Sequence, residues 1–190
     1  MILSLFTRAP ANPGRHPARL MHPECPIEQS VRGRDAPARE ALIDEAWRRR
    51  SPASATLLVG DHRGLRILAP TEPALALALG ELVLRHGEGL IVEPPTVRYV
   101  HGVPVLEPWM SVTVNVPYPH ADMLEEDFHA RRGHLRRTTP VAGRMVLEGE
   151  APLADLLGYD DWLAGLTGEE PLVATALSRY LPIDRGPRAA

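Results

Sequence analysis

The sequence predicts an α+β protein made of two successive copies of one unit, each running strand, helix, strand, strand, helix, strand. Three observations carry this. Segments of alternating apolar residues and segments of helically spaced ones follow each other in the same order twice, over residues 24–102 and 107–184. Gly- or Pro-bearing turns punctuate them where hairpins and helix ends are needed. Only His101 to Leu106 separates the two copies.

In the first copy a short strand is expected around Pro26 to Arg32, then a helix capped by Asp35 with Pro37 in its first turn. Leu42, Ile43, Ala46 and Trp47 repeat at helical spacing. Arg48-Arg49-Arg50 stand at the C-terminal end, where the helix dipole favours cations, and Pro52 blocks continuation. Leu57 to Val59 and Leu65 to Ala69 form a hairpin around Asp61-His62-Arg63-Gly64. A second helix spans about Glu72 to His86, with Leu75, Leu79, Leu82 and His86 on one face and Gly87 as its stop. Leu90 to Val100 is the last strand, bent or pushed to an edge by Pro94-Pro95.

The second copy opens with the clearest strand of the chain. Met110, Val112, Val114 and Val116 point one way and Ser111, Thr113 and Asn115 the other. The next helix carries Asp122, Glu125 and Glu126 early and Arg131-Arg132 late, and ends on Gly133. His134 to Thr138 and Arg144 to Glu150 pair around Pro140 to Gly143. Leu156, Tyr159, Leu163 and Leu166 mark a helix, and Leu172 to Tyr180 the final strand. This doubled order is the split βαβ, or ferredoxin-like, arrangement: two tandem domains, each a four-stranded antiparallel sheet with two helices on one face. Residues 1–23 read as a flexible Pro- and Arg-rich leader and 185–190 as a tail.

Composition limits the chemistry. Apolar residues make up 44% of the 190 residues and aromatics 5%, so aliphatic side chains must fill the cores. The net charge of -3 argues against a general nucleic-acid-coating protein. All 21 basic residues are arginine. The absence of lysine excludes a P-loop lysine, a Schiff-base lysine and a lysine general base, and no nucleotide is expected to bind. Cys25 is the only cysteine, which fits a reducing cytoplasm and excludes an internal disulfide. No apolar run approaches the roughly 20 residues that span a bilayer, so no membrane partner is expected.

No catalytic constellation, cofactor or metal site is expected. His16, His22 and Cys25 have no standard zinc spacing. Glu125-Glu126-Asp127 and Asp160-Asp161 are neighbours that do not face each other on a helix, so paired acid–base work is not indicated. Trp47, Trp109 and Trp162 read as core or interface anchors.

Certain residues carry a family resemblance. "VLEGEAPLADLLGYDDWLAGLT", the strand from Trp109 to Val116, the helix closing on Arg131-Arg132-Gly133, and "SRYLPID" together resemble the fifth domain of elongation factor G. In the first copy, Gly80-Glu81-Leu82 and Val92-Glu93-Pro94-Pro95-Thr96-Val97-Arg98-Tyr99 are similar to its third domain, with Val83 and Arg85 where the family has His and an acidic residue. The resemblance covers about Pro26 to Asp184, with no GTPase, second or fourth domain. It implies a non-catalytic, translation-related, cytoplasmic protein with the ribosome, rRNA or another protein as partner. Arg131, Arg132, His134, Arg136, Arg137 and Arg144 are its candidate RNA or ribosome contacts, since arginine forks suit phosphate oxygens. The other reading is a solvated helix end, with Arg131 and Arg132 serving the dipole and pairing with Asp127 or Glu126. Where the family reads Thr-Gln-Gly-Arg this chain has Thr167-Gly168-Glu169-Glu170, an acidic turn that repels phosphate. A protein–protein module without RNA binding, or the detached remnant of a split factor, is the alternative.

Overall fold

The computed structural model describes residues 22–48, 55–168 and 172–183. Most of the leader, Arg49, Arg50, Pro52, the Glu169-Glu170 turn and the tail lie outside them.

The first unit is built from β1 (Ile27–Gly33), α1 (Ala36–Arg48), β2 (Leu57–Asp61), β3 (Gly64–Ala69), α2 (Glu72–His86), β4 (Leu90–Val92) and β5 (Thr96–Val97). Asp35 caps α1, its Oδ1 accepting from the Ala38 amide at 2.8 Å, and Thr71 caps α2. The strands form one antiparallel sheet in the order β2-β3-β1-β4, with β5 also on β1. The expected single last strand is therefore two short pieces. Pro94 and Pro95 lack the amide protons a ladder needs, so pairing stops at Val92 and resumes at Thr96. Ile27, Val31, Leu65 and Ile67 of the sheet are buried with Leu42 and Ala46 of α1 and Leu75, Ala78 and Leu82 of α2. Trp47, expected as an anchor, is 64% exposed and stands outside this core.

The second unit repeats the pattern with β6 (Leu106–Pro117), α3 (Ala121–Ala130), β7 (His134–Val141), β8 (Arg144–Pro152), α4 (Tyr159–Thr167) and β9 (Leu172–Pro182). Its order, β7-β8-β6-β9, is that of the first sheet. Two tandem ferredoxin-like domains result. The apolar side of β6 lies against Leu124 and Phe128 of α3 and Tyr159 and Leu163 of α4, and the buried side chains of both units form one continuous cluster.

Three local outcomes differ from expectation. The last helix starts at Tyr159 rather than Leu156, because Leu153 to Asp155 form a separate 3-10 turn and Gly158 takes a left-handed conformation. At the end of α3 the left-handed residue is Arg132, at φ 59°, and not Gly133. Glycine is required at 133 for another reason: a Cβ there would stand 2.4 Å from the Phe128 ring. His22 and Pro23, read as leader, are held: Arg98 donates to the His22 carbonyl at 3.0 Å and the Tyr180 hydroxyl to the Pro23 carbonyl at 2.9 Å.

Candidate functional site

The six candidate residues fall on the α3 end and the β7–β8 hairpin, and most are engaged within the fold. Arg131 pairs with Asp127 at 2.7 Å, donates to the Asp155 carbonyl at 2.8 Å, and lies over the stacked rings of Tyr159 and Trp162, 4.8 and 4.9 Å from their centroids. Asp127 is one of the two partners expected for Arg131 at a helix end. Arg132 makes a two-pronged contact to Glu107, at 2.7 and 3.1 Å, and a further one to Asp155 at 2.7 Å. These bonds hold its proton more firmly than usual.

The remaining four belong to the face of the second sheet that no helix covers. His134 stacks on the buried Trp109, rings 5.4 Å apart. Arg144 donates to the Asn115 side chain at 2.7 Å and to its carbonyl at 3.1 Å. Arg136 reaches Glu150 at 2.8 Å. Arg137, directly opposite Glu148 in the ladder, is 3.8 Å from it and 71% exposed. Of the six, Arg136 and Arg137 offer the most guanidinium surface to a partner.

Glu150 is the centre of this face, and two irregularities point to it. The β7–β8 register shifts at Arg136 and the β6–β9 register shifts at Ser178, each strand carrying one extra residue. Both extra residues turn onto Glu150: Arg136 on Oε2 and Ser178 on Oε1 at 2.6 Å, joined by Arg179 at 2.6 Å. A buried carboxylate on the middle strand β8 thus ties both edge strands together. Burial alone would raise its pKa, but the Ser178 hydroxyl and the two guanidinium groups outweigh that and hold it below the ordinary carboxylate value. Its stabilising contribution is present above the ordinary value and is lost as pH falls through the lowered one.

Sequence reasoning found the arginines and missed their counter-charges, Glu107, Glu148, Glu150 and Asp155. The Arg137–Glu148 pair was within reach: a two-residue turn at Ala142-Gly143 sets the register that puts them opposite. The Glu150 cluster was not, because bulges break the alternation that a strand pattern assumes. Among the described residues no three His, Cys, Asp or Glu side chains gather closely enough to hold a metal ion. No helix among them is long and apolar enough to cross a membrane.

The family-model match falls on the same half of the chain. The family model described as elongation factor G C-terminus matches residues 104–189. Elongation factor G 2 of Bdellovibrio bacteriovorus is 31% identical over 81 residues, 43% of this chain and 12% of that protein. Elongation factor 2 of Thermococcus kodakarensis is 34% identical over 73 residues, 38% of this chain and 10% of that protein. The matches thus span about a tenth of the length of these relatives. In fold, a crystal structure from Thermus thermophilus superposes with a TM-score of 0.59 at 16% identity, over 84% of this chain and 41% of the other. Through residues 104–189 this chain is similar to the C-terminal portion of elongation factor G.

Proposed function

We propose that this translation-factor-like protein is a non-catalytic docking module for the translation machinery of the cytoplasm, and that the uncovered face of its second sheet, led by Arg136 and Arg137, is where it meets the ribosome or its RNA. The observation that carries the reading is the exposure of these two guanidinium groups on an edge strand of the family-matched domain. Each is balanced by a single carboxylate that a phosphate can displace. The reaction chemistry of the full-length factors has no counterpart among the residues singled out, so the contribution is binding.

If the reading holds, the chain co-sediments with ribosomes at low salt, and Arg136→Ala/Arg137→Ala binds more weakly with a salt slope reduced by about one unit per lost contact. Glu150 keeps Ser178 and Arg179 in that variant, so its melting temperature stays near that of the wild type. Equal binding by the double variant, or no co-sedimentation at low salt, overturns the RNA reading. One observation favours the second reading, a protein partner: Arg144 is engaged by Asn115, and Glu150 and Glu148 stand beside Arg136 and Arg137, which leaves the face mixed in charge rather than basic.

A further inference from the structure

Arg34, Arg39 and Arg63 differ from every other arginine among the described residues. The others each have an acidic or amide partner, from Arg32 with Glu93 in the first unit to Arg179 with Glu150 in the second. Arg34, Arg39 and Arg63 are exposed, and their guanidinium groups meet neither a carboxylate nor any other acceptor. Carboxylates are not scarce, since 24 acidic residues stand against 21 arginines in the chain.

The three belong to separate segments that meet at one end of the first unit. Arg34 directly follows β1, Arg39 lies near the start of α1, and Arg63 is in the tight turn between β2 and β3. A Cβ on Gly33 would stand 2.2 Å from the Arg39 amide nitrogen, so the start of α1 rests on the end of β1. A Cβ on Gly64 would stand 2.5 Å from the Val31 carbonyl oxygen and 3.1 Å from the Arg32 Cα, so the turn carrying Arg63 rests there too. Only glycine lets the backbones come this near.

The acids at this end are committed elsewhere or stand apart. Asp35 accepts from the Ala38 amide at 2.8 Å. Asp61 accepts from the Arg63 and Gly64 amides at 2.8 and 3.2 Å and faces Arg66. The exposed Glu40 and Glu88 pair with none of the three.

An unengaged guanidinium is a fork that matches phosphate oxygens. Three of them on separate backbone segments suit a row of phosphates better than a single anion. Segments 32–40 and 60–64 hold no large aliphatic side chain and no Phe, Tyr or Trp, the anchors on which protein interfaces centre. Contacts to a phosphate backbone need no such anchor. We propose that this end of the first unit binds the phosphate backbone of a structured RNA through Arg34, Arg39 and Arg63. The choice of RNA as the polyanion rests on the translation-related reading, but the contact is a second one. It lies on the other unit from Arg136 and Arg137 and outside the family-matched residues 104–189.

Fluorescence anisotropy of a labelled RNA hairpin, titrated with the full chain over a range of salt concentrations, tests this. Arg34→Ala/Arg39→Ala/Arg63→Ala weakens binding about tenfold or more at low salt and reduces the salt slope by about three units, one per lost contact. Arg63→Ala alone reduces it by about one unit. None of the three side chains is bonded among the described residues, so the triple variant melts at the wild-type temperature. Wild-type affinity and slope in the triple variant overturn the proposal, as does the absence of RNA binding. Displacement of the RNA by poly-glutamate at equal charge also overturns it, in favour of an acidic protein. Arg136→Ala/Arg137→Ala in the same assay reports on the second sheet separately: a loss there, with none in the triple variant, keeps that reading and removes this one.

Discussion

Arg132 occupies a left-handed conformation, φ 59°, that costs a residue with a Cβ about 1 kcal/mol. The cost is offset by the contact of the guanidinium with Glu107, whose side chain is 3% exposed and would otherwise be a buried charge without its partner. Truncating the arginine keeps the strain and removes the partner. Arg132→Ala should therefore lower stability by about 2–4 kcal/mol, measured by urea unfolding. Arg132→Gly relieves the backbone and should lose about 1 kcal/mol less than the alanine variant. An alanine variant as stable as the wild type would show that the pair contributes nothing. Arg131 and Arg132 were singled out from sequence as contacts for a partner. At the scale of the residue they are first of all contacts within the chain.

The β7–β8 hairpin depends on a close approach. Gly149 lies under the Phe128 ring and beside the neighbouring strand, so a Cβ there would meet the His134 carbonyl at 2.7 Å and the ring at 2.8 Å. Neither a backbone carbonyl in a ladder nor a packed ring can move away without loss. Gly149→Ala should cost about 2 kcal/mol or more by overpacking, read as a lowered urea midpoint, and should loosen β7 first. Hydrogen exchange that is unchanged in Leu135 and Thr138 would contradict this. The hairpin itself was legible, since alternation and a Gly-bearing turn are local signals. The reason for Gly149, in the middle of a strand, was not, because the ring that excludes a side chain arrives from a helix some twenty residues earlier.

At the scale of the molecule the two units are joined by Glu72, which accepts from Gly158 while sitting close to Asp160 and Asp161. Burial raises its pKa above the ordinary carboxylate value, with the two aspartates adding to the rise and the Gly158 amide opposing it. The folded protein then holds its proton to higher pH than the unfolded chain does, so the stability Glu72 confers is full below about pH 4.5 and is lost as pH rises through the raised value. Glu72→Gln keeps the acceptor and removes the charge. It should melt at a higher temperature than the wild type at pH 7, with the gap closing towards pH 4. A lower melting temperature at pH 7 would mean that the charged form strengthens the junction.

The sequence by itself determined the doubled strand and helix order, the cap at Asp35, the inward face of β6 and the likeness of the second unit to an elongation factor G domain. These are signals within a few residues, where periodicity, cap chemistry and turn residues act. The tertiary structure alone decided which carboxylate each paired arginine meets, that two bulges turn Arg136 and Ser178 onto Glu150, and that Arg34, Arg39 and Arg63 gather at one end of the first unit. Those outcomes depend on groups brought together from distant parts of the chain. Electrostatic pairing is set by distance in space, and a one-residue bulge changes the facing of a side chain without leaving a periodic mark in the sequence.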